Sequence, residues 1–102
     1  MIVEHALLKV APGKGEEFER AFKEAEQVMA KAKGFHFVDL LRGAEGTEDY
    51  LLIVAWESLT ASVDGFRGSQ LHDRWNELLG PYLSTTPEHV HFDLLSHYTG
   101  EA

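Results

Sequence analysis

Tyr50-Leu51-Leu52-Ile53-Val54-Ala55-Trp56 is a nearly unbroken apolar run, and its reading decides the fold. Its length, its β-branched and aromatic residues and its polar flanks read as a strand. Successive side chains of a strand leave opposite faces of the sheet. A sheet with one wet face therefore alternates apolar and polar residues. This run is apolar toward both faces, so both faces of its sheet are expected to be covered. Upstream, Phe35 to Arg42 reads as the preceding strand, and Phe37, Val38, Leu40 and Leu41 repeat the two-faced pattern. The polar Gly43–Asp49 loop joins the two as a hairpin.

Further upstream, residues 2–10 are rich in β-branched types and end at the turn Ala11-Pro12-Gly13, which predicts a first strand. Phe18, Ala21, Phe22, Ala25, Val28, Met29 and Ala32 then recur at helical spacing. Glu16 and Glu17 at the start and Lys31 and Lys33 at the end suit the helix dipole, and Gly34 supplies the stop. Downstream, residues 59–66 predict a short helical segment broken at Gly65 and Gly68. A second helix from about Ser69 carries Leu71, Trp75, Leu78, Leu79 and Tyr82, with Pro81 and Pro87 around its exit. His89 to about Leu95 alternates as a fourth strand. The order βαββαβ predicts an α+β, ferredoxin-like domain with a four-stranded antiparallel sheet, filling residues 1–102 as a single domain. Helices cover only one face of such a sheet. A second copy of the chain is the simplest cover for the other, so a homodimer is expected.

Composition narrows the function. The net charge of -8 and the scattered nine Lys and Arg argue against nucleic acid. The chain has no cysteine, which excludes disulfides and thiolate chemistry. Met1-Ile2-Val3-Glu4-His5 lacks the marks of a secretory signal, and no apolar run approaches the ~20 residues of a bilayer span. A cytoplasmic protein with no membrane partner is expected.

His89 and His91 leave one face of a strand and invite a metal reading, with Glu4, His5 or Asp93 as further ligands. His-x-His alone is a weak signal, and no metal is expected. Hydrogen-bonded sheet histidines at a dimer interface are the simpler account. His72 precedes Trp75 and Asn76 by three and four residues, so all three share one side of a helix, at the edge of its core stripe. An imidazole beside an aromatic-lined space suits a general base, set against the alternative of an idle surface histidine. Trp56, Phe66, Trp75, Tyr82, Phe37 and Phe92 are candidate pocket walls between sheet and helices, although most aromatic residues at such spacing are core. Gly65-Phe66-Arg67-Gly68-Ser69 lacks the spacing of a phosphate loop, and no nucleophile elbow is present. The paired carboxylates of the first helix read as solvated surface.

Ile53-Val54-Ala55-Trp56-Glu57-Ser58, Gly65-Phe66-Arg67-Gly68-Ser69, Trp75, Pro81 and His91-Phe92 together resemble the antibiotic biosynthesis monooxygenase domain family, across almost the whole chain. The resemblance implies a dimeric α+β barrel and activities that include cofactor-independent oxygenation of anthrones and quinols, and haem degradation. The haem-degrading branch relies on an Asn in strand one and on a Trp and a His in the second helical region. Ala6, Phe66 and Asn76 stand at those positions, which disfavours haem. A shifted pairing through His5 or His72 is the remaining route to it. The resemblance implies a monooxygenase without cofactor, acting on a small hydrophobic, electron-rich aromatic ligand. His72 is the expected base, with Asn76 or Tyr82 as hydrogen-bond partners. Trp75 and Phe66 are the expected walls, joined by Trp56 and Phe37. A non-catalytic binding module and an isomerase or cyclase compete with this reading, and a purely structural role comes last.

Overall fold

A computed structural model describes residues 1–101. The strands are β1 (Ile2–Lys9), β2 (Phe35–Arg42), β3 (Asp49–Trp56) and β4 (His89–Asp93), and the helices are α1 (Gly15–Met29) and α2 (Gln70–Leu79). The sheet order is β2-β3-β1-β4, with every pairing antiparallel. This is the ferredoxin-like arrangement expected from the sequence.

Register assigns the two faces. Leu8 pairs with Tyr50, Ala6 with Leu52 and Glu4 with Val54 on the face beneath the helices. Phe18, Phe22, Ala25 and Met29 of α1, and Trp75 and Leu79 of α2, close over them. On the opposite face Leu7 meets Leu51, His5 meets Ile53, and Val90 lies beside His5. A bulge between Phe35 and Phe37 turns β2 so that Phe35 packs on Trp56 while Phe37 goes to the outer face. Leu7, Phe37, Leu41, Val90 and Phe92 all remain exposed there.

Helix α1 starts without a side-chain cap of its own. The Glu48 carboxylate, from the β2–β3 hairpin, accepts the N–H groups of Gly13 at 2.8 Å and Gly15 at 3.1 Å and fills that role. The helix ends at Met29, so Lys31 and Lys33 lie in the turn beyond its last residues rather than at its end. Gly34, with φ 84°, reverses the chain into β2, and its carbonyl accepts the Glu57 N–H at 2.7 Å.

Three further boundaries differ from expectation. The segment after β3 is a π-helical turn, Ala61–Phe66, which carries Gly65 inside it instead of breaking there. Its wider winding is recorded by the Arg67 N–H bonding to the Ser62 carbonyl at 3.1 Å. Pro81 sits within a 3-10 turn, Gly80–Tyr82, that continues directly from α2. β4 stops at Asp93: the Leu94 N–H still reaches the Met1 carbonyl at 3.2 Å, just ahead of β1, and Leu95 beyond it is exposed.

Candidate functional site

An acidic residue on the inward face of β1 organises the site. Glu4 alternates with the core residues Ala6 and Leu8, and it is only 5 % exposed. Carboxylates are rarely buried to this degree unless they are paired, so every lone pair needs a donor. Trp56, at the end of β3, donates Nε1–H to Glu4 Oε1 at 2.8 Å. Ser62 donates its hydroxyl to the same oxygen at 2.9 Å. The π-helical turn aims Ser62 inward, where a regular helix winds one residue tighter. Oε2 faces His89 Nδ1 at 2.5 Å and Arg67 Nη2 at 3.5 Å. His91 Nε2 lies 3.0 Å from Ser62 Oγ and 3.8 Å from Glu4 Oε1.

Burial alone would raise the Glu4 carboxyl. The hydrogen bond and charge of His89, with the bonds from Trp56 and Ser62, outweigh burial and hold it at about 2. The carboxylate is therefore ionised at any physiological pH. The cluster reaches solvent through His89, His91 and Arg67.

An aromatic group adjoins this charged centre. The Phe66 ring lies 5.5 Å from Trp56 and 6.1 Å from Trp75, centre to centre. His72 meets Phe66 edge-on at 5.3 Å. His72 is half-buried, and its pKa is lowered. Burial is the largest cause, followed by the charges of Arg67 and His89, against a smaller opposing effect of Asp73. A neutral imidazole thus stands between the aromatic group and the charged one.

The residues expected at the site divide accordingly. His72, Phe66, Trp75 and Trp56 are brought together. Their rings pack on one another, so Trp56, Phe66 and Trp75 fill the space between sheet and helices in which a pocket was expected. Phe37 and Phe92 lie on the far face of the sheet and cannot share a pocket with them in one chain. Asn76 is exposed and lines a surface groove with Gly80, Leu83 and Pro87. Tyr82 sits half-buried in the 3-10 turn beside the exit of β1, where its carbonyl accepts the Ala11 N–H. Among the described residues no side-chain hydrogen bond joins either of them to the His72 ring. Of the guessed neighbours of the His89/His91 pair, Glu4 is adjacent. His5 instead packs at a tilt on Phe92 on the outer face of the sheet, and Asp93 pairs at Ile2. Among the described residues no three His, Cys, Asp or Glu side chains are arranged to hold a metal ion.

Sequence reasoning did not single out Ser62 and Arg67, and it met Glu4 only as a guessed ligand. The available signal was an acid at an inward position of an otherwise apolar strand, since a buried carboxylate demands donors.

A ferredoxin-like domain with a donor-saturated carboxylate beneath its second helical region is the class that fold and site define. The family model for antibiotic biosynthesis monooxygenases matches residues 1–96, and the chain belongs to that family. It is 37% identical over 92 residues to the protein YczJ of Bacillus subtilis (strain 168), covering 90% of this chain and 97% of that protein. A structure from Bordetella bronchiseptica, described as an antibiotic biosynthesis monooxygenase, superposes with a TM-score of 0.88 at 30% identity, over 93% of this chain and 97% of that one. SnoaB of Streptomyces nogalater, described as a cofactor-independent oxygenase, superposes with a TM-score of 0.79 at 22% identity, over 94% of each chain; at that identity the likeness is one of fold. No helix among the described residues is long and apolar enough to cross a membrane.

Proposed function

We propose that this chain is a cofactor-independent oxygenase of a small, electron-rich aromatic ring of the quinol or anthrone type, working as a homodimer with His72 as its base. The observation that carries the reading is a neutral imidazole set against Phe66 and flanked by Arg67 and His89. A base must be unprotonated at working pH, and the depressed pKa of His72 keeps it so. Arg67 lies where an anion formed by proton removal would be stabilised. The buried rings of Phe66 and Trp75 back the imidazole on its apolar side. Neither Asn76 nor Tyr82 hydrogen-bonds the His72 ring through its side chain, and this scheme gives them no role.

The chemistry needs only the substrate and dioxygen. His72 removes an acidic proton from the ring, and the ring anion gives one electron to dioxygen. The resulting radical and superoxide join in a new C–O bond, and the peroxide takes a proton back. The homodimer follows from the outer sheet face, where Leu7, Phe37, Leu41, Val90 and Phe92 form an apolar surface that a second copy would cover.

The test is oxygen uptake with anthrone and menadiol, without metal, flavin or haem. Uptake above the uncatalysed rate, reduced on the order of 10²-fold in His72→Ala, supports the reading. Because His72 is depressed, turnover should persist to lower pH than an ordinary histidine base permits. No uptake with any ring overturns the reading; ring turnover without uptake points to an isomerase or cyclase, and ligand binding without turnover to a binding module.

A further inference from the structure

The Glu4 cluster contains a second imidazole that the scheme above uses only as a neighbouring charge. An ionised carboxylate can only accept, so in the 2.5 Å contact with Glu4 Oε2 the proton belongs to His89 Nδ1. Ser62 has one hydroxyl proton, and it goes to Glu4 Oε1. In the 3.0 Å contact between Ser62 Oγ and His91 Nε2, the donor must therefore be His91. The two strand histidines thus differ. His91 has its Nε2–H engaged, whereas His89 is held by Nδ1 and, among the described residues, nothing bonds its Nε2. The His89 side chain is 22% exposed, enough to meet a ligand. A carboxylate fixing one ring nitrogen while the other faces the reactant is the arrangement of an oriented acid–base histidine.

We propose that His89, oriented through Nδ1 by Glu4, is a second acid–base group of this site and delivers a proton from Nε2 to the departing oxygen. This role rests on the oxygenase reading. Once the ring hydroperoxide has formed, His72 removes the remaining proton from the oxygenated carbon. That electron pair becomes the C=O bond as the O–O bond breaks, and the distal oxygen takes the Nε2 proton of doubly protonated His89 and leaves as water. His72 then releases its proton, and His89 Nε2 takes one up from solvent. One dioxygen is consumed, one oxygen enters the ring, and the other is reduced with the electrons of the broken C–H bond. Glu4 Oε2 meets both His89 and Arg67, and Arg67 follows Phe66, whose ring meets His72, so the two imidazoles border the same cluster. Glu4, His91, Arg67 and Asp73 are the other ionisable groups around the pair. Glu4 is a positioning residue, since it acts only through His89.

The test follows anthrone consumption, oxygen uptake and the ratio of ring hydroperoxide to quinone in the unaltered protein, His89→Gln and Glu4→Gln, with nitrogen NMR of the histidine side chains. The expected result is that uptake falls less than about tenfold in His89→Gln while hydroperoxide replaces quinone as the main product. In Glu4→Gln the product shifts the same way, and His89 loses its Nδ1–H form. An unchanged product ratio in His89→Gln, with normal uptake by the unaltered protein, overturns this role and leaves the oxygenase reading standing. Absence of uptake by the unaltered protein overturns both. A bare Nδ1 on His89 in the unaltered protein overturns the assignment even where a variant fails to fold.

Discussion

Replacing Glu4 with Gln tests whether the buried carboxylate holds the inner sheet to the second helical region. The amide keeps the oxygen that accepts from Trp56 and Ser62, but it turns an NH2 toward His89 Nδ1, which must give up its own proton to accept it, so the charge-assisted bond to Glu4 is lost. In the native protein the carboxyl falls from 4.5 to about 2, which corresponds to about 3 kcal/mol favouring the ionised folded form. Because the folded value is depressed, this stabilisation is fully present above pH 4.5. It is lost as pH falls toward about 2. Urea unfolding at fixed protein concentration should therefore find Glu4→Gln about 2–3 kcal/mol less stable at pH 7. The gap should close on acidification, because the unaltered protein loses stability between pH 4.5 and about 2 that the variant never had. Parallel stability–pH curves over that interval would refute the reasoning, since they would mean that the carboxylate is held no better folded than unfolded.

Gly34→Ala should destabilise the fold by about 1–3 kcal/mol, because φ is 84° and the new Cβ would stand 2.8 Å from Ala61 Cβ; thermal melting reads this out. Tyr50→Phe removes the hydroxyl that donates to Glu19 Oε2 at 2.6 Å, at an expected cost of about 1 kcal/mol by urea unfolding. The Tyr50 phenol is pushed up to about 12, first by burial and then by Glu19, so in the unaltered protein its absorbance should not titrate at pH 10. If the proposed dimer forms through the outer face, Leu7→Asp should shift sedimentation from dimer to monomer while leaving circular dichroism intact; a monomeric unaltered protein, or an unchanged coefficient, would refute that interface.

The apolar pattern of Tyr50 to Trp56 and the helical spacing from Phe18 to Met29 report burial directly, because a strand and a helix each repeat with a fixed period. Those two periods, with the turn residues between them, were enough for the βαββαβ order and for the surplus apolar face. The boundaries that shifted are those where long-range partners decide. The π-helical turn around Ser62 is not written in any local period, since the Glu4 carboxylate that bonds Ser62 lies 58 residues away. The cap of α1 comes likewise from Glu48, 33 residues beyond Gly15. His72 and its neighbours Phe66 and Trp75 were legible because they lie within one short stretch. Asn76 shares that stretch, yet its side chain is exposed one turn further along α2.

The sequence by itself determined the element order, the surplus apolar face of the sheet and the family, because periodicity and local motifs are properties of neighbouring residues. Only the tertiary structure decided that Glu4, Trp56, Ser62, Arg67, His89 and His91 form one cluster, and that Phe37 and Phe92 are cut off from it by the sheet. The physical reason is that a buried charge must find its donors wherever the chain brings them. Sheet register and the turn above β1, which no local pattern encodes, supply them here.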